Sequence, residues 1–251
     1  MPILERDGAK LHYEVFGHGY PLVLFAPGGM NSSVRLWAER PGAPGQPPPW
    51  MDPTVTLAGD FQVIAMDQRN AGLSTAPIDH GDGWETYTAD HLALLDHLDL
   101  DRVHVMGGCI GASYCLALCE SAPERVSAAV LQNPIGVSNN RDAYLDMFDA
   151  WASRLCIDRT DISEQALAGF RQHMFGGEFV FSVDRDFVRR CPTPLLVLAG
   201  DDDDRYHPAA VACEIAALAP VADLILEWAG PEHHRETLAS VRDFLRAHTP
   251  E

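Results

Sequence analysis

The segment Val105-Met106-Gly107-Gly108-Cys109-Ile110-Gly111-Ala112 decides how this chain is read. The apolar run VHVMG over 103–107 gives way at once to a helical pattern over about 110–121. Gly-x-Cys-x-Gly at such a junction places a nucleophilic side chain on a sharp strand-to-helix turn, where small residues at 107 and 111 let neighbouring backbone come close. Cys109 then sits at a helix N-terminus. There the backbone N–H of Ile110 is available to a developing oxyanion, and the positive end of the helix favours thiolate over thiol. The bland reading of the same residues is a glycine-rich turn around a buried cysteine.

On either side of this segment, strands alternate with helices. Two short strands, about 3–6 and 10–16, flank the turn signal Asp7-Gly8. Apolar runs at 21–26, 61–66, 126–131, 194–199 and 222–228 read as buried strands, and 84–98 and 233–248 carry helical periodicity. Such alternation predicts a mostly parallel sheet covered on both faces. Residues 137–190 break the pattern: they read as helical, with Glu178-Phe179-Val180-Phe181 the exception that reads as a buried-strand run. The expected organisation is a core of residues 1–136 and 191–251 with a small helical cap at 137–190. The proline-rich stretch 41–53 is a surface loop within the core.

Composition narrows the partners. The 251 residues hold 36 Asp+Glu against 18 Lys+Arg, a formal net charge of −18, and Lys10 is the one lysine. Binding nucleic acid would require a basic stripe, and no window supplies one. The N-terminal MPILERDGAK is charged where a signal peptide needs an apolar run, and no stretch is long and apolar enough to span a membrane. A cytoplasmic chain with reduced thiols is expected. The six cysteines lack zinc-site spacing, so no metal or other cofactor is expected. Cys115, Cys119, Cys156, Cys191 and Cys213 are read as small buried hydrophobes.

The elbow and its surroundings resemble the α/β-hydrolase family, with Cys109 where Ser is usual. The resemblance implies an α/β-hydrolase fold with an eight-stranded, mostly parallel sheet. It places the oxyanion loop at Pro27-Gly28-Gly29-Met30, where the family's usual His is missing, so that Gly29 or Met30 joins Ile110 in supplying N–H donors. Asp67-Gln68-Arg69-Asn70-Ala71-Gly72-Leu73-Ser74 is similar to the family's D-x-R-G-x-G-x-S turn, a structural element, with Asn70 taking a left-handed position. The acid is expected in Gly200-Asp201-Asp202-Asp203-Asp204-Arg205-Tyr206-His207-Pro208: counting forward from Gly200 favours Asp202 or Asp203, and counting back from Pro208 favours Asp204, the choice made. The base is expected after the last strand, in Pro231-Glu232-His233-His234, with His233 ahead of His234. His207 is read as packing or capping beside Pro208.

A Cys109–His233–Asp204 triad implies acyl transfer through a thioester. The expected enzyme is a cofactor-free hydrolase of a small ester, lactone or activated carbonyl compound. In having Cys at the elbow, and in that respect only, the chain resembles dienelactone hydrolases. Two rivals stay open: a lyase, cyclase or acyltransferase on the same fold, and a catalytically silent small-molecule-binding protein. Oligomeric state is not legible, and self-association stays open.

Overall fold

In the computed structural model, which describes residues 2–40, 45–46, 48–201 and 204–250, the expected alternation becomes eight strands and eight α-helices. Strands β1 (Ile3–Arg6) and β2 (Ala9–Gly17) form a hairpin, its turn made by Asp7 and Gly8 at φ 47° and 78°. Positive φ at both central residues matches the right-handed twist of the flanking strands. There follow β3 (Tyr20–Phe25), α1 (Pro53–Thr56), β4 (Phe61–Met66), α2 (Trp84–His97), β5 (Val103–Gly108), α3 (Ile110–Ser121) and β6 (Val126–Gln132). The chain closes with α4 (Arg141–Leu155), α5 (Glu164–Phe175), α6 (Arg185–Arg190), β7 (Leu195–Leu198), α7 (Ala209–Leu218), β8 (Ala222–Ile225) and α8 (His234–Ala247).

All eight strands join one sheet in the order β1-β2-β4-β3-β5-β6-β7-β8. The pairings of β1 with β2 and of β2 with β4 are antiparallel; the rest are parallel. This is the eight-stranded α/β-hydrolase architecture expected from the sequence. Every residue of β5 and β6 is buried, as central parallel strands with both faces covered must be. Alternate side chains feed two cores. Val23 and Phe25 of β3 pack on the face that holds α2 and α3, while Leu22 and Leu24 pack on the face that holds Trp37, Leu57, Phe244 and Leu245.

The turn after β4 is held by charge. Asp67 accepts the backbone N–H groups of Val34 (2.7 Å) and Leu73 (2.8 Å), and Arg69 grips Asp90 with two hydrogen bonds of 2.5 and 2.9 Å. Asn70 takes φ 56°, the left-handed conformation that its sequence position implied.

Two local readings are corrected. Residues 178–181 form no strand: the Val180 carbonyl accepts from Ser113 Oγ (2.9 Å) and that of Phe179 from the Val137 N–H (2.7 Å), so other partners take the bonds a ladder would use. Strand β8 stops at Ile225, three residues early. Trp228 is instead turned inward, its indole N–H bonded to the Ala199 carbonyl at 2.6 Å. Of the cysteines expected in the core, Cys115, Cys119 and Cys191 are buried, Cys156 is half-buried, and Cys213 is exposed because it lies on the outer side of α7. Among the described residues, no helix is long and apolar enough to cross a membrane.

Candidate active site

Cys109 occupies the one-residue turn between β5 and α3 with φ 57° and ψ −120°, a conformation costly for any residue with a side chain. Packing holds it there. A Cβ on Gly107 would lie 2.0 Å from the Gly111 carbonyl oxygen, and one on Gly111 would lie 2.0 Å from that of Phe25. No side chain fits at either place, so the Gly-x-Cys-x-Gly pattern is a steric requirement of the turn. The Cys109 N–H donates to the Gln132 carbonyl at 2.9 Å, tying the turn to the end of β6.

The thiol faces a cavity of about 550 Å³ lined by residues from six separate segments, among them its own turn and the end of β6. The glycine loop after β3 supplies Pro27, Gly28 and Gly29; the proline-rich loop supplies Arg40, Pro49 and Trp50. The helical insertion supplies Tyr144 and Met147, and the loop after β7 supplies Asp204, Tyr206 and His207. Asp204 and His207 form a pair three residues apart: Asp204 Oδ2 is 2.7 Å from His207 Nδ1, and Asp204 Oδ1 accepts the Tyr206 N–H at 2.8 Å. Bonded through Nδ1, the imidazole leaves Nε2 buried, and the ring is close enough to the Cys109 thiol for each group to shift the other's titration.

Those shifts have opposing causes. Burial is the largest influence on the Cys109 thiol and pushes it up. The His207 charge and hydrogen bonding, with the backbone N–H groups of Gly28 and Ile110, outweigh it and draw the thiol below its usual range. Burial is likewise the largest influence on His207 and pulls it down, but the facing thiolate and the Asp204 carboxylate push it up to about 10. The hydrogen bond from His207 leads the causes that hold Asp204 down at about 2. These directions favour thiolate over thiol and imidazolium over imidazole, next to the Asp204 carboxylate.

The structure brings together some of the expected residues and not others. Cys109, Ile110, Asp204 and Gly29 all border the cavity. Met30 is buried away from it, and the second N–H directed at the thiol is that of Gly28. Asp202 and Asp203 lie outside the described residues. His233 does not border the cavity: it precedes the first turn of α8, with Nε2 3.8 Å from Glu232 Oε1. His234 Nε2 bonds the Pro49 carbonyl at 3.1 Å, and the Gly230 N–H bonds the same oxygen at 2.8 Å. Pro49, a lining residue of the cavity, thus bonds His234, while neither His233 nor His234 lines the cavity. The imidazole beside the thiol is His207, which the sequence reading assigned to packing. Its signal was the Asp-x-x-His spacing, which lets one short loop carry carboxylate and imidazole together. Among the described residues, no group of three or more His, Cys, Asp or Glu side chains is arranged to hold a metal ion.

Residues 21–156, more than half of the chain, match the family description of the α/β-hydrolase fold. The chain belongs to the α/β-hydrolase family. Among α/β-hydrolase relatives, it is 26% identical over 274 residues to 2-hydroxy-6-oxo-2,4-heptadienoate hydrolase of Pseudomonas putida, an alignment covering 96% of this chain and 94% of that protein. It is 29% identical over 168 residues to RutD of Variovorax paradoxus, which carries a carbamate-hydrolase name; here the alignment covers 65% of this chain but only 59% of the relative. The fold superposes on the enol-lactonase of Burkholderia xenovorans LB400 with a TM-score of 0.66 at 21% identity, covering 98% of this chain and all of the other.

Proposed function

We propose that this α/β-hydrolase cleaves small esters, lactones or activated ketones through a thioester on Cys109, with His207 as acid and base and Asp204 orienting it. The observation that carries the reading is the convergence in one cavity of a strained-turn cysteine and an imidazole already bonded to a carboxylate. Sequence order alone pointed to His233 as the base; the position of His207 against the thiol favours His207. The two relatives named as hydrolases, one of them aligned over nearly its whole length, support hydrolysis as the outcome.

In this scheme the Cys109 thiolate attacks the substrate carbonyl carbon. The oxygen becomes an anion held by the N–H of Ile110 and an N–H of the Gly28–Gly29 loop. Collapse breaks the bond to the leaving group, which takes the proton from His207 Nε2 and departs as alcohol, or as carbon acid from a ketone. Neutral His207 then removes a proton from water, whose oxygen attacks the thioester carbon. Breaking of the C–S bond releases the carboxylic acid and regenerates the thiolate with protonated His207. The Tyr144 hydroxyl donates to the Tyr206 carbonyl at 2.6 Å, so helix α4 of the insertion braces the loop carrying the acid and base and acts as a cap.

The test is a panel of aryl esters, thioesters and enol lactones of graded leaving group, read by rapid mixing and intact mass. The expected results are a burst of leaving group and an acyl adduct on Cys109, both absent in Cys109→Ala. Turnover that survives Cys109→Ala would overturn the covalent scheme.

A further inference from the structure

Two donors in the cavity wall are left over by the acyl-transfer scheme. Trp50 Nε1 is buried and has no hydrogen-bond partner. Arg40, the only Lys or Arg among the residues lining the cavity, makes no ion pair with any described carboxylate. Most arginines of this acid-rich chain are paired, including Arg6, Arg69, Arg125, Arg185 and Arg246. Both residues line the cavity that holds Cys109, so its lining includes a guanidinium side chain and an indole with an unused N–H. Among the described lining residues the one acid, Asp204, is engaged by His207. Ile135, Met147 and Tyr144 provide apolar surface elsewhere in the cavity.

Resting on the hydrolase reading, we infer that Arg40 and Trp50 form a carboxylate subsite, and that the substrate is an acyl compound with a second, non-reacting carboxylate: a half-ester or lactone of a dicarboxylic acid. A formal charge of −18 repels anions at long range, so an anionic substrate needs a local cation at the cavity to be admitted. A guanidinium matches the planar, two-oxygen geometry of a carboxylate, and the indole N–H is a second donor in the same lining. The carbon chain would lie along the apolar surface, with the reacting carbonyl at Cys109.

The experiment compares p-nitrophenyl hemiesters of succinate, glutarate and adipate with their neutral methyl-capped counterparts, in the wild type, Arg40→Gln and Arg40→Lys. The readout is the ratio of kcat/KM for hemiester to that for the neutral ester. The expected result is a wild-type ratio above one that falls about tenfold in Arg40→Gln, mainly through KM, and less in Arg40→Lys. A wild-type ratio below one, or one unchanged in Arg40→Gln, would overturn the subsite. A second arm needs no turnover: glutarate or adipate should slow iodoacetamide labelling of Cys109 in the wild type and not in Arg40→Gln. If no ester is cleaved but dicarboxylates still protect Cys109 through Arg40, the hydrolytic reading fails and the subsite stands; absence of protection overturns the subsite.

Discussion

Replacing His207 with alanine tests the heart of the site. With His207 pushed up to about 10 by the Cys109 sulfur and the Asp204 carboxylate, the imidazolium form is favoured at pH 7, so Cys109 faces a positive charge. His207→Ala removes that charge and its hydrogen bonding, leaving only the Gly28 and Ile110 N–H groups against a burial effect that is the largest influence on the thiol. The thiol should therefore titrate higher. Each unit of rise removes about tenfold of the thiolate at neutral pH and restores about threefold in intrinsic nucleophilicity, a net loss of about threefold per unit. The assay is iodoacetamide labelling from pH 5 to 11, read by mass spectrometry of the Cys109 peptide, because half-buried Cys156 and exposed Cys213 will also react. Wild type should lose reactivity as pH falls through a midpoint below that of an ordinary thiol. In His207→Ala the midpoint should move up, and in His233→Ala it should not move. An upward shift in His233→Ala with none in His207→Ala would refute the assignment and restore the histidine expected from sequence order.

Three further outcomes follow from packing and charge. Gly111→Ala puts a Cβ 2.0 Å from the Phe25 carbonyl and should cost about 3 kcal/mol or more in urea unfolding; a loss below about 0.5 kcal/mol would show that the turn can relax. Asp90→Asn leaves the buried Arg69 guanidinium without its carboxylate and should destabilise by about 3–5 kcal/mol, whereas a surface control such as Asp96→Asn should change stability by less than about 1 kcal/mol. Burial pushes His91 down to about 3 and His104 to about 4, so both are neutral in the fold while the unfolded chain protonates near 6.5. Stability should be full above pH 6.5 and decline below it by up to about 1.4 kcal/mol per pH unit for each histidine until the folded values are reached; a flat profile from pH 6.5 to 4.5 would contradict this.

The elements around Cys109 were legible because their signals are local. Strand-to-helix periodicity over 103–121 and the paired glycines specify the turn with no information from the rest of the chain, and the observed bounds of β5 and α3 agree with the expected ones to within a residue. The Asp67–Ser74 turn was legible from its motif, whose inner bonds, from the Leu73 N–H and the Ser74 hydroxyl to Asp67, close between residues near in sequence. The run at 178–181 misled because apolar residues read alike whether their backbone joins a ladder or bonds to Ser113 and Val137.

Sequence by itself determined the sheet, the turn at Cys109 and the loop that holds Asp204, because hydrophobic periodicity and glycine sterics act over a few residues. Only the tertiary structure decided which histidine meets the thiol. That choice depends on where the Pro49–Trp50 wall falls: it takes up His234 and Gly230 on its carbonyl and leaves His207, carried on the same loop as Asp204, as the imidazole beside Cys109. Arg40 lines the same cavity, a cation whose place there no charge count could reveal, since counting records how many charges exist and folding determines which ones meet.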